Sequence, residues 1–247
     1  MAITTARDIL RRPGGTVALL ITGSLLVLLP RMARRALDDG SALGSELILT
    51  TLALHAALLA GLTAVQAGST GSALGPVPEF LSTPLRWHEY LAARMLGILS
   101  SAAAHVGALA AIAVVAVLLT SEVTDLSPAF AGASASSLAL QTLLFAAAGL
   151  CAGALGGAEL GSIALVALIV AARVVIPNLT EGGSAWAWVL LDPARMDVAR
   201  EIALGRPLGA GAWASMWLAT LLQTAGLLCA AYAGLSSRVS RRGRAAV

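Results

Sequence analysis

Apolar residues in this chain fall in long unbroken runs, not in the alternating pattern of half-buried strands or the every-third-residue pattern of surface helices. A helix crossing the hydrocarbon core of a bilayer needs about 20 such residues. Runs bounded by charge, proline or glycine clusters predict six spans, at about 16–30, 46–67, 93–120, 136–155, 160–176 and 210–235. The first is short and comes after Arg7, Arg11 and Arg12, a layout shared with secretory signal peptides. The next segment, Arg31-Met32-Ala33-Arg34-Arg35, lacks the small-residue cleavage pattern, so a retained span is expected, extended by snorkelling arginines. The pattern predicts an all-α integral membrane protein with six transmembrane helices in a single domain, 1–247.

Composition agrees and removes several functions. Hydrophobic residues make up 58% and charged residues 12%, against roughly 25% charged in an ordinary soluble domain. Mean hydropathy is +0.86. All 16 basic residues are arginine. A Walker A loop requires its lysine to hold nucleotide phosphates, so the chain lacks a P-loop of its own. Cys151 and Cys229 sit in apolar runs and form neither a CxxC metal site nor a disulfide framework. HExxH and GxSxG are absent, so no catalytic, cofactor-binding or metal-ligating set is expected, and no enzyme activity in this chain. A net charge of +3 bears on loop orientation; no nucleic-acid partner is expected.

Arginine placement predicts that orientation. With both termini cytoplasmic, the inner segments hold Arg7, Arg11, Arg12, Arg86, Arg94, Arg238, Arg241, Arg242 and Arg244. The outer loops hold Arg31, Arg34, Arg35, Arg195, Arg200 and Arg206. Residues 1–15 read as an interfacial helix on the inner leaflet, and 236–247 as a basic cytoplasmic tail. Arginine without lysine in an alanine- and glycine-rich chain suggests, through codon bias, a GC-rich bacterial genome, and a bacterial inner membrane is the expected location.

The inner loop after the second span carries the most information. Ser82 or Thr83 before Pro84 is a strong helix start, and no breaker intervenes before the third span. The first turns present Arg86, Trp87, Glu89 and Tyr90. Aromatic and arginine side chains at a membrane surface serve either as a docking knob or as a headgroup anchor, and residue physics leaves both open.

Glu79, Leu81-Ser82-Thr83-Pro84-Leu85, then Glu89-Tyr90-Leu91 and a basic residue ahead of Gly97, resemble the loop between the second and third spans of ABC type-2 permeases. Val77-Pro78 stands where that family usually has Gly-Thr. In the family this loop is a coupling helix seated in a separate ATPase. The resemblance therefore implies a short cytoplasmic coupling helix made of Pro84, Leu85, Arg86, Trp87, His88, Glu89 and Tyr90. It also implies an ABC ATPase subunit that binds ATP-Mg, and a second permease protomer forming a homodimer in membrane lipid.

A second segment, Asp192-Pro193-Ala194-Arg195-Met196-Asp197-Val198-Ala199-Arg200, starts with a cap and a first-turn proline. It resembles the Asn-Pro-x-Asp-x-x-Arg segment before the last span of the same family, in the subgroup that includes the nitrous-oxide-reductase maturation permease. Asp replaces Asn here. A short outer amphipathic helix is expected, and a purely surface role accounts for it.

Gly149, Gly153, Gly157 and Gly161 recur every four residues, which permits close helix packing. Dimerisation, packing within one protomer and a turn at Gly156-Gly157 all fit that spacing. His55, His105, Gln66, Gln141 and Gln223 lie within spans; interhelical hydrogen bonding accounts for the two histidines, with haem ligation as the rival role. The function expected from the resemblance is the permease subunit of an ATP-driven exporter. A haem-exporter-like permease of cytochrome maturation and a non-transport membrane scaffold are the alternatives.

Overall fold

The computed structural model describes residues 13–36, 40–69, 87–120, 128–171 and 209–245. Five helices account for nearly all of them: α1 (Pro13–Ala36), α2 (Gly40–Gly68), α3 (Trp87–Thr120), α4 (Pro128–Val170) and α5 (Ala210–Ala245). No strand occurs among the described residues. Four stretches are long and apolar enough to cross a membrane: Ile48–Gly68, His88–Ala116, Ala131–Val170 and Trp213–Ser237. Thr16–Leu28 of α1 is a shorter apolar helix.

The 43 residues of α4 would extend about 64 Å as one rod, roughly twice the hydrocarbon thickness. It is not one rod. Gly157 adopts φ 80° and ψ −171°, a conformation open essentially to glycine alone. Contacts with α2 reveal the effect of that break. A Cβ on Gly149 would strike the Gly61 carbonyl and one on Gly153 the Val65 carbonyl, so the first arm of α4 runs parallel to α2. On the second arm, Leu165 meets Gly61 and Gly161 meets Val65, the reverse order. The chain doubles back at Gly157.

The remaining pairs extend the alternation. Tyr90 touches Ala67 while His105 faces His55, so α3 is antiparallel to α2. Gly234 lies against Ala154, and Trp217 Nε1 donates to Ser136 Oγ at 3.1 Å, so α5 runs with the first arm of α4. Thr22 bonds His55 and Leu26 packs near Leu52, so α1 opposes α2. The end of α2, the start of α3, the Gly157 turn and the Leu235 region of α5 therefore meet at one end of the bundle, in a shared core of Ala67, Tyr90, Leu91, Leu150, Ala154 and Leu235.

Element boundaries differ from those the apolar runs predict. α1 passes through Pro30, expected as a span end, because a proline costs one helical bond without preventing helix on either side. Pro13, Gly14 and Gly15, expected in the interfacial helix, open α1 instead, with proline suited to a helix start. α5 continues through Arg238–Arg244 to Ala245, so the basic segment 236–245 is helical. The fourth and fifth runs are two helical arms joined at Gly157, the turn that the glycine pair between them allows. The outer helix near Asp192 and residues 1–12 lie outside the described residues.

Candidate functional site

The loop residues singled out from the sequence divide at the start of α3. Pro84, Leu85 and Arg86 lie outside the described residues. Trp87 begins α3, and His88 and Glu89 come next on its exposed first turn, where the Glu89 carboxylate complements the helix dipole. Tyr90 turns inward. Its ring is 3% exposed, and its Oη donates a 2.8 Å hydrogen bond to the carbonyl of Ala67. That carbonyl is in the last turn of α2, where helical C=O groups lack intrahelical partners. Ser69 ends the turn, its N–H bonded to Val65 O at 3.0 Å and its Oγ donating to Gln66 O at 3.1 Å.

Arg94, one turn beyond Tyr90, is buried and places its guanidinium carbon 5.3 Å from the Tyr90 ring centre. A guanidinium over an aromatic face is attractive by about 0.5–2 kcal/mol, more when water is excluded. Leu91, Met95 and Ile98 continue the buried face of α3 against Leu150, Cys151 and Ala154. Close backbone approach completes the junction: a Cβ on Gly68 would sit 2.5 Å from the Leu150 carbonyl. The exposed turn bearing His88 and Glu89 is thus joined through Tyr90 to α2, and through α2 to the α4 turn.

No protein-family model and no curated protein matches this chain.

Gly149, Gly153 and Gly161 are spent inside the chain. The first two admit α2 at backbone distance; a Cβ on Gly161 would lie 2.8 Å from the Ala152 carbonyl and 3.0 Å from Val65 Cγ1. Gly157 makes the reversal and has open space where a side chain would go. Packing within the chain accounts for Gly149, Gly153 and Gly161, and the turn for Gly157.

His55 and His105 do come together, with ring centres 5.8 Å apart and planes tilted by 38°. Thr22 Oγ1 and His55 Nδ1 share a 2.9 Å hydrogen bond, the interhelical bond expected of an intramembrane histidine. Thr22 is the residue sequence reasoning missed. A threonine in an apolar run normally satisfies itself on a carbonyl one turn back, as Thr63 does with Leu59 O at 2.6 Å, so nothing in its local sequence marks it. Among the described residues no group of three or more His, Cys, Asp or Glu is arranged to hold a metal.

Proposed function

We propose that this chain is the membrane-embedded subunit of an ATP-driven transporter, acting as a pair of protomers with a separate cytosolic ATPase, in a bacterial inner membrane with both termini cytoplasmic. Six crossings are assigned to α1, α2, α3, the two arms of α4 and α5. The Gly157 end faces the cytosol in this reading, because Arg86, Arg94 and Arg238–Arg244 flank the helix ends gathered there.

The observation that carries the reading is the junction at Tyr90. An exposed turn with Glu89 and His88 leads straight into a long apolar helix, and the next residue is fixed to the preceding span. A push on that turn moves α3 and α2 together and reaches the α4 reversal through Gly68 and Leu150. A flexible anchor would not have this linkage. Since the sequence has no lysine to build a P-loop, we assign the driving force to a partner seated at the turn. Export is the direction the family resemblance implies.

The test is co-expression of the tagged chain with an ABC-type ATPase of the same host. Wild type is expected to retain the ATPase through purification, and the triple variant Arg86→Ala, Trp87→Ala, Glu89→Ala to lose it while remaining monodisperse. An equally stable complex with the triple variant removes the coupling assignment.

A further inference from the structure

We propose that His55 and His105 form a proton-binding site inside the bundle, neutral in the arrangement seen and taking up a single proton between them. The inference is independent of the transporter reading. Both side chains are more than nine-tenths buried, at 7% and 5% exposure. His55 is twelve residues from Ala67 and His105 fifteen from Tyr90, about 18 and 22 Å along their helices from the Gly157 end. That places the rings deep within the apolar layer.

Three observations separate this pair from ordinary buried histidines. A packing histidine in a nonaqueous interior satisfies both ring nitrogens. Here Nε2 of His55 and Nδ1 of His105 have no hydrogen-bond partner among the described residues. The rings also belong to adjacent antiparallel helices, so a proton held between them changes the α2–α3 interface and nothing more local. Finally, α1 closes over the pair: Thr22 bonds His55, and the neighbouring Gly23 lies against Leu109 and Ile112 of α3.

The charges around the site define its response. From α1 the facing group is the Thr22 hydroxyl, which does not titrate. At the matching level of α4 the polar residues are Ser137, Gln141 and Thr142, also uncharged, and the first arm of that helix contains no carboxylate. On α2 the carboxylate is Glu46, nine residues or roughly 14 Å along the helix from His55. On α3 the nearest cation is Arg94, eleven residues or roughly 16 Å from His105. A cation formed on either imidazole therefore has the second ring as its first neighbour, the charged residues of these two helices standing roughly 14 and 16 Å away along the axis. In the closed arrangement this is costly, so proton uptake is linked to entry of water between α1, α2 and α3. The neutral pair holds that junction shut; the protonated pair opens it.

The chain contains three histidines, which makes the test direct. Full-length protein labelled with 15N-histidine in lipid nanodiscs is titrated by NMR from about pH 8 to about pH 5, the range in which imidazole changes charge. Exposed His88 supplies the third, separately assigned signal. The expected result is a joint change in the His55 and His105 nitrogens amounting to one proton, with faster amide exchange in α1 around Thr22. His105→Gln should abolish the change at His55. If that variant does not accumulate, the wild-type titration decides. Two rings that stay neutral across the range, or that each take a proton without altering the other's signals, overturn the proposal.

Discussion

Tyr90 Oη donates to the carbonyl of Ala67, 23 residues earlier, at 2.8 Å. One bond thereby connects the first turn of α3 to the last turn of α2, on either side of segment 70–86. Tyr90→Phe keeps the ring beside the Arg94 guanidinium and removes the hydroxyl, with its bond to Ala67 and its hydrogen bond with Arg94. Loss of about 0.5–1.5 kcal/mol is expected, read as lowered resistance to denaturant in detergent micelles. An unchanged midpoint would mean the contact carries no stability.

Gly157 tests the reversal. Nothing lies within 4 Å of where its Cβ would be, so Gly157→Ala meets no steric clash and isolates the backbone cost of φ 80°. That cost is about 1–3 kcal/mol, and thermal unfolding should show it. Gly107→Ala, equally open in space and with no positive φ, is the matched control and should be neutral or slightly stabilising.

Gly149 and Gly153 test the packing of α4 on α2. Gly153→Leu forces the helices apart at Val65 and should destabilise by at least about 1–3 kcal/mol, with aggregation visible on size-exclusion chromatography. Gly226→Leu on α5, where no atom lies within 4 Å, should leave the elution profile unchanged. Similar behaviour of the two variants would contradict the interface.

Thr22→Val removes the hydroxyl bonded to His55 Nδ1 while keeping the shape of the side chain. A buried ring nitrogen is then left without its partner, and about 1–3 kcal/mol of stability should be lost. Thr22→Ser, which keeps the hydroxyl, should recover most of it. Failure of serine to rescue would assign the effect to packing.

The direction of the helices is testable by labelling. His88→Cys and Glu159→Cys, each made in a Cys151→Ala, Cys229→Ala background, place a thiol at the same end of the bundle. An impermeant maleimide added to sealed vesicles should reach both from one side only. Modification of the two from opposite sides would refute the fold-back of α4.

Much of this architecture can be read from residue runs because each run answers a local question. Whether a stretch such as Ile48–Gly68 or Trp213–Ser237 is long and apolar enough to cross a membrane depends on its own residues. The turn at Gly156-Gly157 is also legible, since two glycines between apolar runs mark a break. The ends are less so: Pro30 does not stop α1, and Arg238–Arg244 do not stop α5, because charge and proline limit burial in lipid without forbidding helix.

Sequence alone determined the class of this protein, the position of its apolar helices and the lack of a nucleotide loop, all properties of composition and run length. Tertiary structure decided which faces meet: that Gly149 and Gly153 admit α2, that Tyr90 reaches Ala67, and that Thr22 finds His55. The reason is physical. A helix such as α4, apolar on every side, has no polar face to betray which surface turns inward. In lipid its partners are chosen by close contact between small residues, and that complementarity exists only once two helices are placed side by side.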